Sequence, residues 1–391
     1  MAILGDICKF QSGGTPAKSE PDYFGGSIPW ITTVVLNGSI IDAQNAVDWI
    51  TEKAIEKSAA KIVPANSVMV GTRVGVGKVA INKVPMSTSQ DIISLLDIDE
   101  SKWSKEFICK FILGKGAYLN SQARGATIKG IKIETLAGLE LPDVTLEQQK
   151  RIANVIDSID QLLSLRKEQL TKLDQLVKSR FIELFGDPMT NPMGWDKVNI
   201  SAVVGGRVSN GFFAKREDYC ADGNVKVLGV AHVVNRMYSN IEDLPTTNGS
   251  ETDIVKYGVK YGDMLFCRSS LVAAGIGKAS IVPKNTPNNV LFECHVIRLP
   301  LDLDKCVPEF MQVLSTTDYF RNQVIAQSKT ATMTTIGQDG ILKTDIILPP
   351  LELQKQLLKF VEQTDKSKTA IQASLDKLEL LKKSLMQEYF G

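Results

Sequence analysis

The feature that most constrains this chain is a repeat. Residues 146–186 align without a gap to residues 351–391, at a constant offset of 205. Glu147 matches Glu352, Gln149 matches Gln354, Lys150 matches Lys355, and Asp160 matches Asp365. Leu170, Lys172 and Leu173 recur as Leu375, Lys377 and Leu378. The copies close on Glu183-x-Phe185-Gly186 and Glu388-x-Phe390-Gly391. An ungapped match of this length marks a duplicated structural unit, to be read before any local pattern.

The repeated segment has the period of a helix. Ile156, Leu163, Leu170, Val177 and Leu184 recur every seven residues, and Ile159 and Leu173 follow their neighbours by three. In the second copy Val361, Leu375 and Tyr389 take the first position, and Thr364, Ile371, Leu378 and Leu385 take the second. Such heptads predict a coiled coil. Arg166, Arg180, Lys368 and Lys382 interrupt the stripes, with apolar stems able to pack while their charges reach water. Pro142 and Pro349-Pro350 precede the helices, and Gly186 followed by Asp187-Pro188 is a stop signal. The simplest arrangement pairs the copies antiparallel. The other docks each helix on its own globular region.

The preceding regions, 1–145 and 187–347, read as short strands and turns. Ser67-Val68-Met69-Val70 and Asp263-Met264-Leu265-Phe266-Cys267 look like buried strands, each followed by a Gly-x-Gly-Lys turn: Gly75 to Lys78, and Gly275 to Lys278. The stretch Gly125 to Ile131 matches Thr330 to Ile336, again offset by 205. Each region closes on an apolar strand and proline: Leu139 to Pro142, and Ile346 to Pro349. The order is thus region, helix, region, helix. The helices stayed alike while the regions drifted, as expected of a constant scaffold carrying two diverged copies.

The rest of the sequence mainly excludes. The chain has 391 residues, 45 Lys and Arg against 44 Asp and Glu, and no apolar run long enough to cross a bilayer. The start, Met1 to Asp6, lacks the pattern of a signal peptide, so a cytoplasmic protein is expected. The six cysteines are scattered with no close pair, as free buried or semi-buried thiols are. The Gly-x-Gly-Lys turns fail the phosphate-loop pattern: Val79 and Ala279 follow the lysines, and Thr72 and Leu271 stand where its first glycine belongs. They remain either tight strand connections or turns that present Lys78 and Lys278 to phosphate. His232 and His295 have no metal-ligand partner at helical spacing. No methylase or nuclease motif stands out.

This layout resembles the specificity (S) subunit family of type I restriction-modification systems over nearly the whole chain. Gly13-Gly14-Thr15-Pro16 followed by Tyr23 to Trp30 resembles the family's entry to a recognition domain. Val63-Pro64-Ala65 through Arg73 to Ala80 resembles its central strand and glycine turn. Leu146 to Arg151 and Leu351 to Gln356 resemble the starts of its helices. Two departures are plain: Asn66-Ser67 replaces the Gly262-Asp263 pattern in the first region, and Ser209-Asn210-Gly211-Phe212 replaces the Gly-Thr-Pro entry in the second.

The resemblance implies an α+β fold: two mixed α/β target-recognition domains separated by a long antiparallel coiled coil of the two repeated helices, with pseudo-two-fold symmetry. The implied boundaries are recognition domain 1 at 1–145, a central helix at 146–186, recognition domain 2 at 187–347 and a carboxy-terminal helix at 348–391. The coiled-coil interface would be Ile156, Ile159, Leu163, Leu170, Leu173, Val177 and Leu184 against Val361, Ile371, Leu375, Leu378 and Leu385. Each domain would read half of a split, asymmetric site in double-stranded DNA. The helices would bind two modification subunits, and two restriction subunits would complete the complex. No cofactor is expected on this chain. S-adenosylmethionine, ATP and magnesium would belong to its partners. A specificity subunit of another modification or phage-defence system, and a coiled-coil scaffold that binds only protein, are the alternatives.

A near-neutral chain binds DNA only through local charge. Lys102, Lys105, Lys110, Lys115, Arg124, Lys129 and Lys132 cluster against Glu106 alone, and Arg321 and Lys329 meet no acid up to Gln338. Base and phosphate contacts call for Arg, Lys, Asn, Gln, Ser and Thr at groove edges. The candidates around the glycine turns are Arg73 with Lys78, and Arg268, Ser269 and Ser270 with Lys278. Thr88, Ser89 and Gln90 belong to a polar run, Ser87 to Gln90, suited to a groove-facing loop. Arg124, Lys129 and Lys132, and Lys329, Thr330, Thr332 and Thr334, flank the repeated threonine motif. Arg73 and Arg268 could instead serve internal ion pairs. Trp30, Trp49 and Trp103 read as core.

Overall fold

The computed structural model describes residues 2–125 and 127–391. Met1, which opens the amino-terminal stretch, and Ala126, in the first threonine motif, lie outside the described residues. Helix and strand are mixed throughout, and the chain divides into two compact units. The first gathers the chain up to Lys167 together with Gln372–Gly391, and the second is Glu168–Ile371. The two long helices, Leu146–Phe185 and Leu351–Phe390, are 40 residues each, and each contributes to both units.

In the first unit the strands are β1 (Lys9–Ser12), β2 (Phe24–Ile31), β3 (Ile40–Ile41), β4 (Asp48–Ile50), β5 (Ile62–Val63), β6 (Val68–Gly71), β7 (Val79–Asn82), β8 (Met86–Thr88) and β9 (Ile92–Leu96). They form one sheet in the order β1-β9-β6-β7-β3 and another in the order β4-β2-β8-β5. In the second unit they are β10 (Lys197–Asn199), β11 (Ser209–Asn210), β12 (Val225–Leu228), β13 (Thr246–Thr247), β14 (Asp263–Cys267), β15 (Ser269–Ser270), β16 (Ala279–Ile281), β17 (Val290–Phe292), β18 (Val296–Pro300), β19 (Lys329–Thr330), β20 (Thr334–Thr335) and β21 (Asp345–Ile347). Their main sheet runs β11-β18-β14-β16, the same order as β1-β9-β6-β7. The central strands β6 and β14 are buried along their whole length, as continuous apolar runs require. Ile346 and Ile347 lie in β21, whereas Leu139 to Leu141 makes only an isolated bridge from Glu140 to Ile3.

The helices pack by the same device in both units. The Gln149 side chain accepts from the Ser104 amide at 2.9 Å and donates to the Lys102 and Val144 carbonyls, each at 3.2 Å. Gln354 accepts from the Val307 amide at 2.8 Å and donates to the Lys305 and Pro349 carbonyls at 3.3 and 2.7 Å. One repeated glutamine thus holds each long helix to the start of the helix after the main sheet, Lys105–Gly114 or Pro308–Ser315. At its amino terminus the first long helix carries a reciprocal cap: the Thr145 hydroxyl accepts from the Gln148 backbone amide at 3.3 Å and the Gln148 side-chain Oε1 accepts from the Thr145 amide at 2.9 Å.

Neither simple arrangement of the helices describes the packing by itself. In the first unit Ile152, Ala153 and Ile156 join the domain core, and so does Phe390 from the end of the other helix, its ring 5.5 Å from Phe107 and 6.0 Å from Phe111. In the second unit Leu357 and Val361 join the core together with Phe185, whose ring lies 5.0 Å from Phe310. Each globular region therefore receives the start of the helix that follows it and the tail of the other. Between those ends the helices touch directly and run in opposite senses. Lys382 pairs with Asp160, and Lys167 with Glu379 at 3.7 Å, in the first unit; Lys368 pairs with Asp174 in the second. Along the stripes Ile156, Ile159, Leu163, Val177, Val361 and Leu375 are buried, while Leu170, Leu173, Leu184, Ile371, Leu378 and Leu385 are half-buried.

Candidate nucleic-acid interface

Each unit builds one surface from two distant stretches: the loop carrying the glycine turn and the hairpin carrying the threonine motif. In the first unit Gly71 donates to the Lys78 carbonyl at 2.8 Å and Gly77 to the Gly71 carbonyl at 2.9 Å. Gly75 and Gly77 hold φ of 84° and 80°, the left-handed region that such a tight turn needs. The hairpin closes through mutual bonds between Arg124 and Gly130, and Ile131 donates to the Thr72 carbonyl at 2.8 Å. Arg73, Lys78, Arg124 and Lys129 are exposed on this surface, and so is Lys132 just beyond it. Arg73 and Lys78 have no ion-pair partner among the described residues.

The second unit repeats the pattern. Cys267 donates to the Lys278 carbonyl and Gly277 to the Cys267 carbonyl, both at 2.8 Å, and Ile336 donates to the Arg268 carbonyl at 3.1 Å. A small sheet, β15-β20-β19, puts Ser269 opposite Thr335 and Ser270 opposite Thr334, with Lys329 and Thr330 on the far strand. Lys329, Thr330 and Thr332 are exposed, and Ser269, Ser270 and Arg268 are half-buried. Arg268 forms no internal ion pair among the described residues; it donates to the Cys294 carbonyl at 3.2 Å. Lys278 donates to the Asn235 side chain at 2.7 Å.

Several expectations need correction. Arg73 and Arg268 are not equivalent. Thr72 donates to the Asp91 carbonyl as Arg268 does to that of His295, so Arg268 stands where the first unit has Thr72. The offset arises because the loop spans 72–77 in one unit and 268–277 in the other, four residues longer. The run Ser87 to Gln90 is not a groove-facing loop: Thr88 ends β8, Thr88 and Ser89 are buried, and only Gln90 is exposed. Thr334 is buried too, its hydroxyl 3.0 Å from that of Thr330. Of the basic stretch from Lys102 to Lys132, three members are held in ion pairs. Lys102 pairs with Asp99 at 3.4 Å, Lys105 with Glu100 at 2.6 Å, and buried Lys110 with Asp157 at 2.5 Å. Trp30 is core, but Trp49 is exposed.

Other groups are structural. The His232 ring accepts from the Gly229 amide at 3.0 Å. Burial pushes the Cys109 and Cys306 thiols up to about 12, which makes them inert, while Cys220 is exposed. No cluster of three metal-ligating side chains occurs among the described residues. Gly13, the first residue of the entry motif, has a physical role. A Cβ there would overlap Thr88 and Ser89, and one at Gly211 would overlap Phe292 and Glu293. Gly211 therefore does in the second unit what Gly13 does in the first, a match that the differing neighbours hide.

Two copies of one sheet order, each presenting a basic turn-and-hairpin surface and each packed on the long helices, define a duplicated two-unit fold. The family model described as "Type I restriction modification DNA specificity domain" matches residues 2–175 and again 192–380. The chain belongs to this family. It is 29% identical over 250 residues to the type I restriction enzyme MjaIX specificity subunit of Methanocaldococcus jannaschii, covering 59% of this chain and 57% of the relative. It is 23% identical over 406 residues to the MjaVIII specificity subunit of the same organism, covering 98% and 90%. It is 29% identical over 185 residues to the EcoR124I/EcoR124II specificity subunit of Escherichia coli, covering 46% and 45%. The chain thus spans about half the length of two of these relatives and nearly all of the third. The fold is that of the type I system S subunit from M. genitalium, with a TM-score of 0.59 at 13% identity, over 100% of this chain and 95% of that one. A structure described as underlying "complex assembly" and "conformational transition of the type I R-M system" aligns at a TM-score of 0.58 and 15% identity, over 100% and 96%. Specificity subunits are the non-catalytic members of type I systems. No helix among the described residues is long and apolar enough to cross a membrane.

Proposed function

We propose that this chain is the DNA-reading subunit of a type I restriction-modification complex, in which recognition domains 1–145 and 187–347 each read one half of a split site. The observation that carries this reading is the surface built twice. Equivalent backbone bonds bring the glycine turn and threonine hairpin together in both units, while the side chains on them differ: Thr72 against Arg268, Arg124 against Lys329, and Lys129 against Thr334. Equal frames with unequal side chains suit two different half-sites, because side chains at groove edges carry base choice while the frame sets the approach. Of the candidate contacts, Arg73, Lys78, Gln90, Arg124, Lys129, Lys132, Arg268, Ser269, Ser270, Lys278, Lys329, Thr330 and Thr332 keep some exposure.

The repeated helices act as an antiparallel coiled coil that fixes the half-sites and docks two modification subunits. Large apolar side chains left exposed on them support the docking role: Leu162, Leu165, Leu380 and Leu381 in the first unit and Leu176 in the second. S-adenosylmethionine belongs to the modification subunits, and ATP with magnesium to two restriction subunits. The complex works in the cytoplasm. The test is selection from random duplexes by this chain in complex with its modification subunit. Enrichment of two short unlike sequences at a fixed separation is expected. Stable complex formation with no enriched sequence would leave only a protein-binding scaffold.

A further inference from the structure

The two units carry equivalent grooves of opposite charge. Ile81 donates to the Ser39 carbonyl at 3.2 Å and Ile281 to the Met237 carbonyl at 2.9 Å, so the loop at Asn37 corresponds to the loop at Asn235. Each loop borders a groove that also touches the post-sheet helix and the long helices. In the first unit Glu106, Asp157 and Asp160 face Lys110 and Lys382 there. In the second a cavity of about 370 Å³ is lined by Lys178, Arg236, Lys278, Arg321 and Lys368, with Asp174 as its one acid.

Asp174 is taken by Lys368. Lys178, Arg236, Lys278 and Arg321 have no carboxylate within ion-pair reach among the described residues. Arg321 is the most exacting of them. One guanidinium nitrogen donates to the Ala274 carbonyl at 3.1 Å, while another is buried without any partner. Burial pulls its pKa down. A desolvated cation without a counter-charge is costly, and negative charge placed in the cavity beside it lowers that cost. Convergent cations around a concave site focus positive potential, and a phosphate group is the anion whose charge and several acceptor oxygens suit such a set of Lys and Arg side chains. Lys278 belongs both to this cavity and to the glycine turn of the recognition surface.

We propose that this cavity seats a phosphodiester of the DNA backbone, giving the second unit a phosphate anchor that the first lacks. This rests on the DNA-reading function above and deepens it: the halves of the site are held with unequal electrostatic strength. Arg236 and Lys178 are exposed, and the bond that the Gln312 side chain donates to the Arg236 carbonyl uses the backbone that a substitution keeps, so Arg236→Gln with Lys178→Gln should fold normally. Arg321→Gln is a second variant, checked by its melting curve.

The experiment is duplex binding by the chain with its modification subunit, titrated across salt. The double variant should lower the slope of log affinity against log salt by about 1, as expected when one phosphate is no longer neutralised. It should weaken binding several-fold at low salt and leave the preferred sequence unchanged. Lys57→Gln with Lys61→Gln, exposed in the first unit outside its groove, should leave the slope as it was. An unchanged slope in the double variant, on a duplex that the unaltered complex binds, overturns the anchor and leaves the DNA-reading function standing. If the unaltered complex retains no duplex at any salt, the DNA-reading function fails and the anchor with it. Stabilisation by pyrophosphate that the double variant loses, without any change in DNA slope, assigns the cavity to small anions and overturns the DNA assignment.

Discussion

The first and second units share a frame and disagree about charge. Where helix meets domain they are nearly superimposable in chemistry: Gln149 and Gln354 make the same three bonds, and Phe390 and Phe185 insert beside Phe107 and Phe310. Away from those joints they diverge. Position 110 is a buried lysine bound to Asp157 and to the Gly38 carbonyl, whereas Val313 sits in the core of the other unit. The second unit buries a carboxyl, Glu309, against the hydroxyls of Tyr238 and Tyr261 at 3.0 and 3.1 Å; its counterpart Glu106 is exposed. The difference teaches where this architecture tolerates change. The joints fix how helices enter the cores, so they are kept alike. The surfaces and the layers beneath them are free to drift.

The sharpest way to break the comparison is at the aromatic tails. Phe185→Ala and Phe390→Ala should each destabilise their unit by about 3–5 kcal/mol, the range for deleting a buried phenyl ring, read by chemical denaturation of each variant. Similar losses sustain the equivalence. A large loss in one and none in the other would mean that only one tail is structural.

The glutamines come next. Gln149→Ala strands the buried Ser104 amide and Gln354→Ala the Val307 amide, each costing about 1–3 kcal/mol. Hydrogen exchange at those amides should quicken in the matching variant alone.

On the recognition surfaces, Arg268→Ala should weaken duplex binding by about 1–3 kcal/mol and relax one position of one half-site. Because Thr72, not Arg73, occupies the equivalent place, Arg73→Ala should weaken binding evenly across sequences, as removing a phosphate partner does, without relaxing a position. Selected sequences from both variants separate the outcomes. Equal relaxation by the two would restore the pairing that the loop lengths argue against.

The smallest effect concerns pH. Burial holds the carboxyls of Asp263, Glu309 and Asp365 above their ordinary range, all in the second unit. A carboxyl whose folded pKa is raised binds its proton more tightly when folded. Its stabilising contribution is full below the unfolded value and is lost as pH rises through the folded one. Glu309→Gln keeps an acceptor for the tyrosines and removes the charge. It should match the parent at acid pH and equal or exceed it by up to about 1–2 kcal/mol at neutral pH. A neutral-pH loss would show that the ionised group is needed there.

Much of this was legible in the sequence because periodicity survives drift. The stripes from Ile156 to Leu184 and from Val361 to Leu385 predicted the helices, and the apolar runs at Val68 and Asp263 predicted the central strands. The exchange of tails was not legible. Phe185 and Phe390 lie past the useful heptads, and their partners are set by three-dimensional register. Polar composition misled at Ser87 to Gln90, because a β-strand can carry hydroxyls into a core where glycines such as Gly13 approach them closely. Lys110 misled in the same way, since a buried cation looks like a surface one until its partner Asp157, on the long helix that follows, is in place. The insertion in the second glycine loop hid which arginine matches what.

The most direct test of the central claim, two unlike readers on one frame, is a genome-wide map of N6-methyladenine in cells expressing this chain with its modification subunit. The account predicts methylation at a motif of two short, different halves around a fixed unspecified gap. A single uninterrupted motif, or no methylation despite a stable complex, would contradict it.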